Sequence, residues 1–257
     1  MPERAALDAV VFDIGGTLVR LDFEWMSEAL AALGHAVDAA GLRRAEVEGR
    51  RHYDRSHGRH LTPGERHPPL GTHGDVHAYF GGMLEAAGVP PELRAPAQER
   101  FLARQRETTG LWARPMEGAR GTLDALGAMG LRRAAVSNSD GRAEAHLVSC
   151  GVRDGIEFVV DSQLVGVEKP DPGIFRIALE RLGLPPERTL YVGDIRSVDE
   201  AGSHAAGMHF VLLDPHGDYA GPETPAIPDI ATLPDWVRGR FRLPEAAARR
   251  PGGGGAR

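Results

Sequence analysis

The chain has 257 residues, a net charge of −6, 42% hydrophobic residues and 26% charged residues, a balance that suits a globular protein long enough to bury a sizeable core. The negative charge argues against nucleic acid or a membrane surface as partner, and no apolar run approaches the roughly 20 residues of a membrane span. A single cysteine, Cys150, leaves no disulfide framework, and with no basic-then-apolar signal pattern ahead of the first strand it points to a reducing cytoplasm.

The first element is the run Ala9–Phe12, apolar and β-branched at its centre, which reads as a short buried parallel strand. It stops at Asp13 and is followed by Gly15 and Gly16, which permit a tight turn and close backbone approach. An aspartate there either caps a turn at the end of a core strand or stands at the carboxyl edge of a sheet, where α/β proteins bind ligands. Residues 19–109 are more polar and look helical. Phe23, Met26, Leu30 and Leu33 share a helical stripe that reads as core, and further helices are expected over 75–87 and 91–106, the last opened by Pro90-Pro91. Between them, residues 51–74 are rich in His, Arg, Pro and Gly and read as a long loop.

Strands and helices alternate from Met116 onward. Helices are expected over 117–129, 141–150 and 172–182, and strands over 133–136, 158–160, 189–193 and 210–213. Asp171 and Pro172 supply an N-cap and a first helical residue. Lys169 precedes a proline and is biased to extended geometry. Such alternation predicts a doubly wound parallel sheet that also takes in the first strand, so the helical segment is an insertion. Cys150 reads as a small apolar residue. Trp236 anchors the last ordered element, and the Pro-Gly-Gly-Gly-Gly end reads as a flexible tail. The predicted division is a core of 1–18 and 110–240, a helical unit of 19–109 and a tail of 241–257.

Lysine and arginine total 30, yet Lys169 is the only lysine. A lone lysine in an arginine-rich chain marks either chance or a site that needs a compact ammonium. The predicted strand ends bring Asp13, Ser137, Lys169 and Asp194 to one edge of the sheet.

Four segments in order, FDIGGTL at 12–18, VSNSD at 136–140, EKPDPGIF at 168–175 and VGDIRSVD at 192–199, resemble the motifs of the haloacid dehalogenase (HAD) superfamily of Asp-nucleophile hydrolases. Ala-Gly-Met at 206–208 adds to the likeness. The resemblance implies a Rossmann-like core with a mostly helical cap inserted after the first strand. It implies Asp13 as nucleophile, Asp13, Asp194 and the backbone carbonyl of Gly15 as Mg²⁺ ligands, and Asp199 as support for the metal shell. Ser137, Asn138 and Lys169 would bind the phosphoryl oxygens, with Ser137 and Lys169 taking part in catalysis. The reading of Asp199 from its position alone is an exposed aspartate near the start of a helix, stabilised by the dipole.

One departure matters. Phosphatases of the superfamily carry a second aspartate two positions after the nucleophile, acting as general acid, and here that position is Gly15. A positioned acid contributes roughly 10²–10⁴ in rate. Dehalogenases lack this acid but usually also lack a Gly-Asp pair like Gly193-Asp194, and phosphonate-cleaving members need a cap lysine that is absent. The expectation is therefore a Mg²⁺-dependent phosphatase of small phosphorylated metabolites, monomeric or homodimeric, with impaired acid catalysis. The alternative is a protein that binds phosphate without turnover. Seven histidines, His35, His52, His57, His60, His67, His73 and His77, lie in the insertion. They read as a solvated group without metal-ligand spacing or, on the other side, as contacts to an anionic substrate or a source of the missing acid.

Overall fold

A computed structural model describes residues 4–60, 73–107 and 110–244. Six parallel strands form the central sheet: β1 (Ala9–Phe12), β4 (Arg132–Ser137), β5 (Val159–Asp161), β6 (Thr189–Gly193), β7 (His209–Leu213) and β8 (Ala226–Ile227), in the spatial order β5-β4-β1-β6-β7-β8. A second, two-stranded antiparallel sheet pairs β2 (Val19–Leu21) with β3 (Trp112–Pro115). All four β1 residues are buried, because both faces of a parallel sheet are covered by helices. On one face Leu123 and Leu126 of α5 (Ala119–Ala128), Leu147 of α6 (Ala143–Ser149) and Val237 of α10 (Leu233–Arg240) pack against Val10, Phe12 and Val192. On the other, Ile174, Phe175 and Leu179 of α8 (Pro172–Leu182) pack against Val11 and Tyr191. Two short helices, α7 (Ser162–Val165) and α9 (Ala201–Ala205), complete the framework.

The predicted alternation is present, with α8 and β6 at their expected bounds; Asp171 caps α8 by accepting from the Gly173 N–H at 2.7 Å, and Pro172 occupies its first turn. Strand β8 and the β2–β3 pair go unpredicted: each is only two to four residues long, and their pairing is non-local.

The inserted helices are α1 (Phe23–Ala31), α2 (Ala39–His60), α3 (His73–Ala86) and α4 (Pro91–Arg106), and they build their own cluster around Phe23, Met26, Leu30, Phe80, Met83 and Phe101. Helix α2 corrects the reading of residues 51–74 as a loop. Residues 51–60 continue α2 and 73–74 open α3, while 61–72 lie outside the described residues. The apolar period fails over α2 because its buried face carries Glu46 and Arg50 beside Leu42 and Ala45. Residues 241–244, expected in the flexible tail, are tied down: Phe241 is buried in the core cluster and the Arg242 N–H donates to Ala5 O at 2.9 Å. Trp236 packs partly buried on the same cluster, and Cys150 is half-buried. Among the described residues no helix is long and apolar enough to cross a membrane.

Two margins of the insertion touch the core differently. Along α2, Arg44 pairs with Asp218, Arg50 donates to Leu213 O at 3.2 Å, and Asp54 accepts from the Tyr219 hydroxyl at 2.6 Å and the Ser197 N–H at 2.9 Å. At the end of α4, Arg142 donates to the carbonyls of Gln105 and Glu107, both at 2.6 Å.

Candidate active site

Asp13, Ser137 and Asp194 stand at the carboxyl ends of β1, β4 and β6, as the alternation requires. Lys169 does not stand at a strand end. It lies in the loop between α7 and α8, and its backbone is held by Asn138, whose Oδ1 accepts from the Lys169 N–H at 2.7 Å and whose amide donates to Lys169 O at 2.9 Å. The Asn138 side chain thus positions Lys169 through its oxygen and one of its two amide hydrogens. Ser137 is buried and lines the same cavity.

The Lys169 ammonium donates to Asp13 Oδ1 at 2.6 Å, Asp199 Oδ1 at 2.8 Å and the Tyr191 hydroxyl at 3.0 Å. Three acceptors match its three donors. Burial disfavours the ammonium, but Asp13 and Asp199 together hold its pKa above the ordinary value. Asp199 is 1% exposed rather than a surface helix residue, because the chain after β6 makes a π-helical turn, Arg196–Glu200, that tucks it under the loop. Its Oδ2 accepts from the backbone N–H groups of Asp194 and Ile195, each at 3.0 Å. Asp199 thus orients the lysine with one oxygen and the Asp194 loop with the other. Gly16 adopts φ +87°, and a Cβ there would come within 2.2 Å of Asp194 Oδ2, so the turn after Asp13 needs glycine to approach that carboxylate.

Burial raises the Asp13 pKa to about 6 despite Lys169, with Asp199 adding to the rise. Burial raises that of Asp194 as well, against the pull of Arg50. Arg50, 2% exposed, places Nε 3.2 Å from Asp194 Oδ2 and Nη2 3.2 Å from Glu46 Oε2; Glu46 Oε1 accepts from Tyr79 at 2.7 Å. Four buried carboxylates, Asp13, Asp194, Asp199 and Glu46, face two buried cations, Lys169 and Arg50, an excess of two negative charges when all are ionised. Oxygens of Asp13, Asp194 and Asp199 lie within 4.8 Å of one another, and Asp194 Oδ1 is buried without a partner. A hard divalent cation such as Mg²⁺ fits this donor set and this charge.

The cluster opens into a cavity of about 320 Å³ whose far walls include Tyr53, Tyr79, Leu102, Gln105, Arg106 and Trp112. Of the described histidines only His146, from α6, lines it. His77 instead contacts Gln98 at 3.0 Å on the surface, and the side chains of His57, His60, His67 and His73 lie outside the described residues. His146 is 8% exposed, its Nε2 has no partner, and burial lowers its pKa. Gly15 lies under the Trp112 indole, for a Cβ on it would meet Nε1 at 3.1 Å and Cδ1 at 3.2 Å. Sequence reasoning missed Arg50, Tyr191, Trp112 and His146. Only the scarcity of tryptophan, three in the chain, set any of them apart.

Comparison with known proteins places this geometry in a family. Over 98 residues the chain is 45% identical to mouse "Haloacid dehalogenase-like hydrolase domain-containing protein 3", a match covering 38% of this chain and 39% of the relative. The matches to this protein in five vertebrates each cover less than half of the relative's length. A longer match, 28% identical over 225 residues, covers 85% of this chain and 88% of the N-acetylmuramic acid 6-phosphate phosphatase of Pseudomonas aeruginosa. Among solved structures, a HAD phosphatase from Thermococcus onnurineus aligns over 92% of this chain and 100% of its own, with TM-score 0.54 and 22% identity. The L-2-haloacid dehalogenase of Xanthobacter autotrophicus aligns over 91% and 99%, with TM-score 0.53 and 20% identity. At these identities the structural likeness speaks for the fold alone. Residues 7–207 match the haloacid dehalogenase-like hydrolase family, and the chain belongs to it.

Proposed function

We propose that the chain is a phosphatase that cleaves small phosphate monoesters through a covalent aspartyl-phosphate on Asp13. The observation that carries this reading is the one lysine of the chain, buried and bonded to Asp13 at 2.6 Å and to Asp199 at 2.8 Å. Such an ammonium holds the nucleophile in place and offers a compact positive charge to a phosphoryl oxygen. The name of the Pseudomonas relative, an N-acetylmuramic acid 6-phosphate phosphatase, supports a phosphatase.

A carboxylate oxygen of Asp13 forms a bond to phosphorus while the ester P–O bond breaks, its electron pair leaving with the alcohol oxygen. Water then attacks phosphorus, releasing inorganic phosphate and restoring the carboxylate. Ser137 and the backbone N–H of Asn138 bind phosphoryl oxygens. Asp13, Asp194 and the carbonyl of Gly15 are the ligands assigned to Mg²⁺, with Asp199 steadying the loop that carries Asp194. When bound, the cation offsets the repulsion between a carboxylate and an anionic phosphoryl group. Helices α1–α4 serve as the cap that closes the site.

The position of Gly15 beneath Trp112 favours a second reading, a phosphate-binding protein without turnover. Hydrolysis of p-nitrophenyl phosphate by the full chain, with Mg²⁺ and with a chelator, separates the two. Turnover that needs the cation and disappears in Asp13→Asn is expected, because the substitution is isosteric but removes the nucleophile. Orthophosphate binding without turnover would establish the second reading.

A further inference from the structure

The side chain nearest the place of the missing acid is Trp112. A Cβ on Gly15, two residues after Asp13, would lie against the pyrrole face of the indole, 3.1 Å from Nε1 and 3.2 Å from Cδ1. The ring is not loose there. Its residue is in register with Leu21 across the β2–β3 pair. Tyr79 and Phe80 back it with ring centroids 6.4 and 6.1 Å away at 44° and 42°. Trp112 lines the same cavity as Asp13, Ser137 and Lys169, and no described residue accepts a hydrogen bond from its Nε1.

We propose that the Trp112 N–H donates a hydrogen bond to the bridging oxygen of the bound phosphate ester, stabilising the leaving group without protonating it. The proposal rests on the phosphatase reading and names its substrate class. An indole N–H is a donor only and gives up no proton at neutral pH. As the bridging P–O bond breaks, its electron pair stays on oxygen, and the fixed donor meets the growing negative charge. The oxygen leaves as an anion and takes its proton from solvent. Such a site serves acyl and aryl phosphates, whose leaving groups are stable as anions, far better than alkyl phosphates. It also accounts for Gly15: any larger residue would push the indole aside.

The test is kcat/KM of parent and Trp112→Phe over phenyl phosphates whose substituents vary the acidity of the leaving phenol, with Mg²⁺ present. Phenylalanine keeps the contacts with Tyr79 and Phe80 but removes the donor. The expected result is a steeper dependence in the variant, with almost no loss for the most acidic phenols and a loss approaching 10²-fold for the least acidic, the low end for a lost transition-state donor. A uniform loss, or none, overturns the role of Trp112 while leaving the phosphatase reading intact. A parent inactive on the whole series overturns both. A second measurement needs no variant: of the three indole ¹H–¹⁵N resonances of the parent, one should move when orthovanadate and Mg²⁺ are added, and Trp112→Phe identifies it. Three unmoved resonances overturn the proposal.

Discussion

Replacing Arg50 with methionine removes the buried cation that faces Asp194 and leaves the volume nearly unchanged. The guanidinium Nε lies 3.2 Å from Asp194 Oδ2, and Nη2 lies 3.2 Å from Glu46 Oε2. At an effective dielectric of about 20, each pair at that distance attracts by about 5 kcal/mol. Most of this attraction offsets the cost of taking the charges out of water, which the two carboxylates of the variant still bear. Removing one partner of such a pair costs about 3–5 kcal/mol, and Leu213 O also loses its donor. Uptake of a proton by Asp194, whose pKa burial already raises, softens the loss toward the lower figure. Urea unfolding at neutral pH without divalent cations should therefore show Arg50→Met about 3 kcal/mol less stable than the parent, and melting about 6–12 °C lower. Adding Mg²⁺ should recover part of the deficit, because a cation on Asp194 restores the missing positive charge, so the stabilisation by Mg²⁺ should be larger in the variant. A variant within about 0.5 kcal/mol of the parent, with an unchanged response to Mg²⁺, would refute the electrostatic reasoning.

Lys169→Arg should lower aryl-phosphate turnover despite keeping the charge. Three acceptors converge on one ammonium between 2.6 and 3.0 Å, where a planar guanidinium does not fit; unchanged kinetics would make the lone lysine an accident of composition. Gly15→Asp alone should raise alkyl-phosphate turnover far less than the roughly 10²–10⁴ available to a positioned acid, because its Cβ meets Trp112 at 3.1 Å. Pairing it with Trp112→Phe should release more of that gain, and equal rates for the single and double variants would count against the steric argument. Because the native Asp13 pKa is raised to about 6, the native state holds a proton that the unfolded chain gives up near pH 4. Stability from Asp13 is therefore present at low pH and lost as pH rises through about 6. That same proton competes with a cation, so the rise in melting temperature on adding Mg²⁺ should grow between about pH 5 and pH 7.5. A rise independent of pH would exclude Asp13 from the cation site.

What the sequence made legible was local. Ala9–Phe12 announces itself by an unbroken apolar run that stops at a charge, and Asp171-Pro172 by a cap and a first-turn proline. The doubly wound core followed from the spacing of such signals. Helix α2 was hidden because its inner face carries Glu46 and Arg50, which read as solvent residues until they are seen paired with each other. Lys169 reaches Asp13 from a loop rather than a strand end, a placement set by both ends of the Asn138 amide. The Trp112–Gly15 contact joins β3 to the turn after β1 and depends on how the insertion closes, which no window of sequence contains.

The two margins of the insertion are held to the core with unequal strength. Swinging α2 away from the sheet would strand Arg50, 2% exposed, away from Asp194 and Leu213 O, at a cost of several kcal/mol. On the far margin, Arg142 is partly exposed and already paired with Asp140, so releasing the carbonyls of Gln105 and Glu107 to water costs about 1 kcal/mol each. Helix α2 is therefore the more firmly held margin of the insertion. Arg106, at the end of α4, is exposed and lines the cavity, so the weakly held margin carries a positive charge opposite the buried carboxylates.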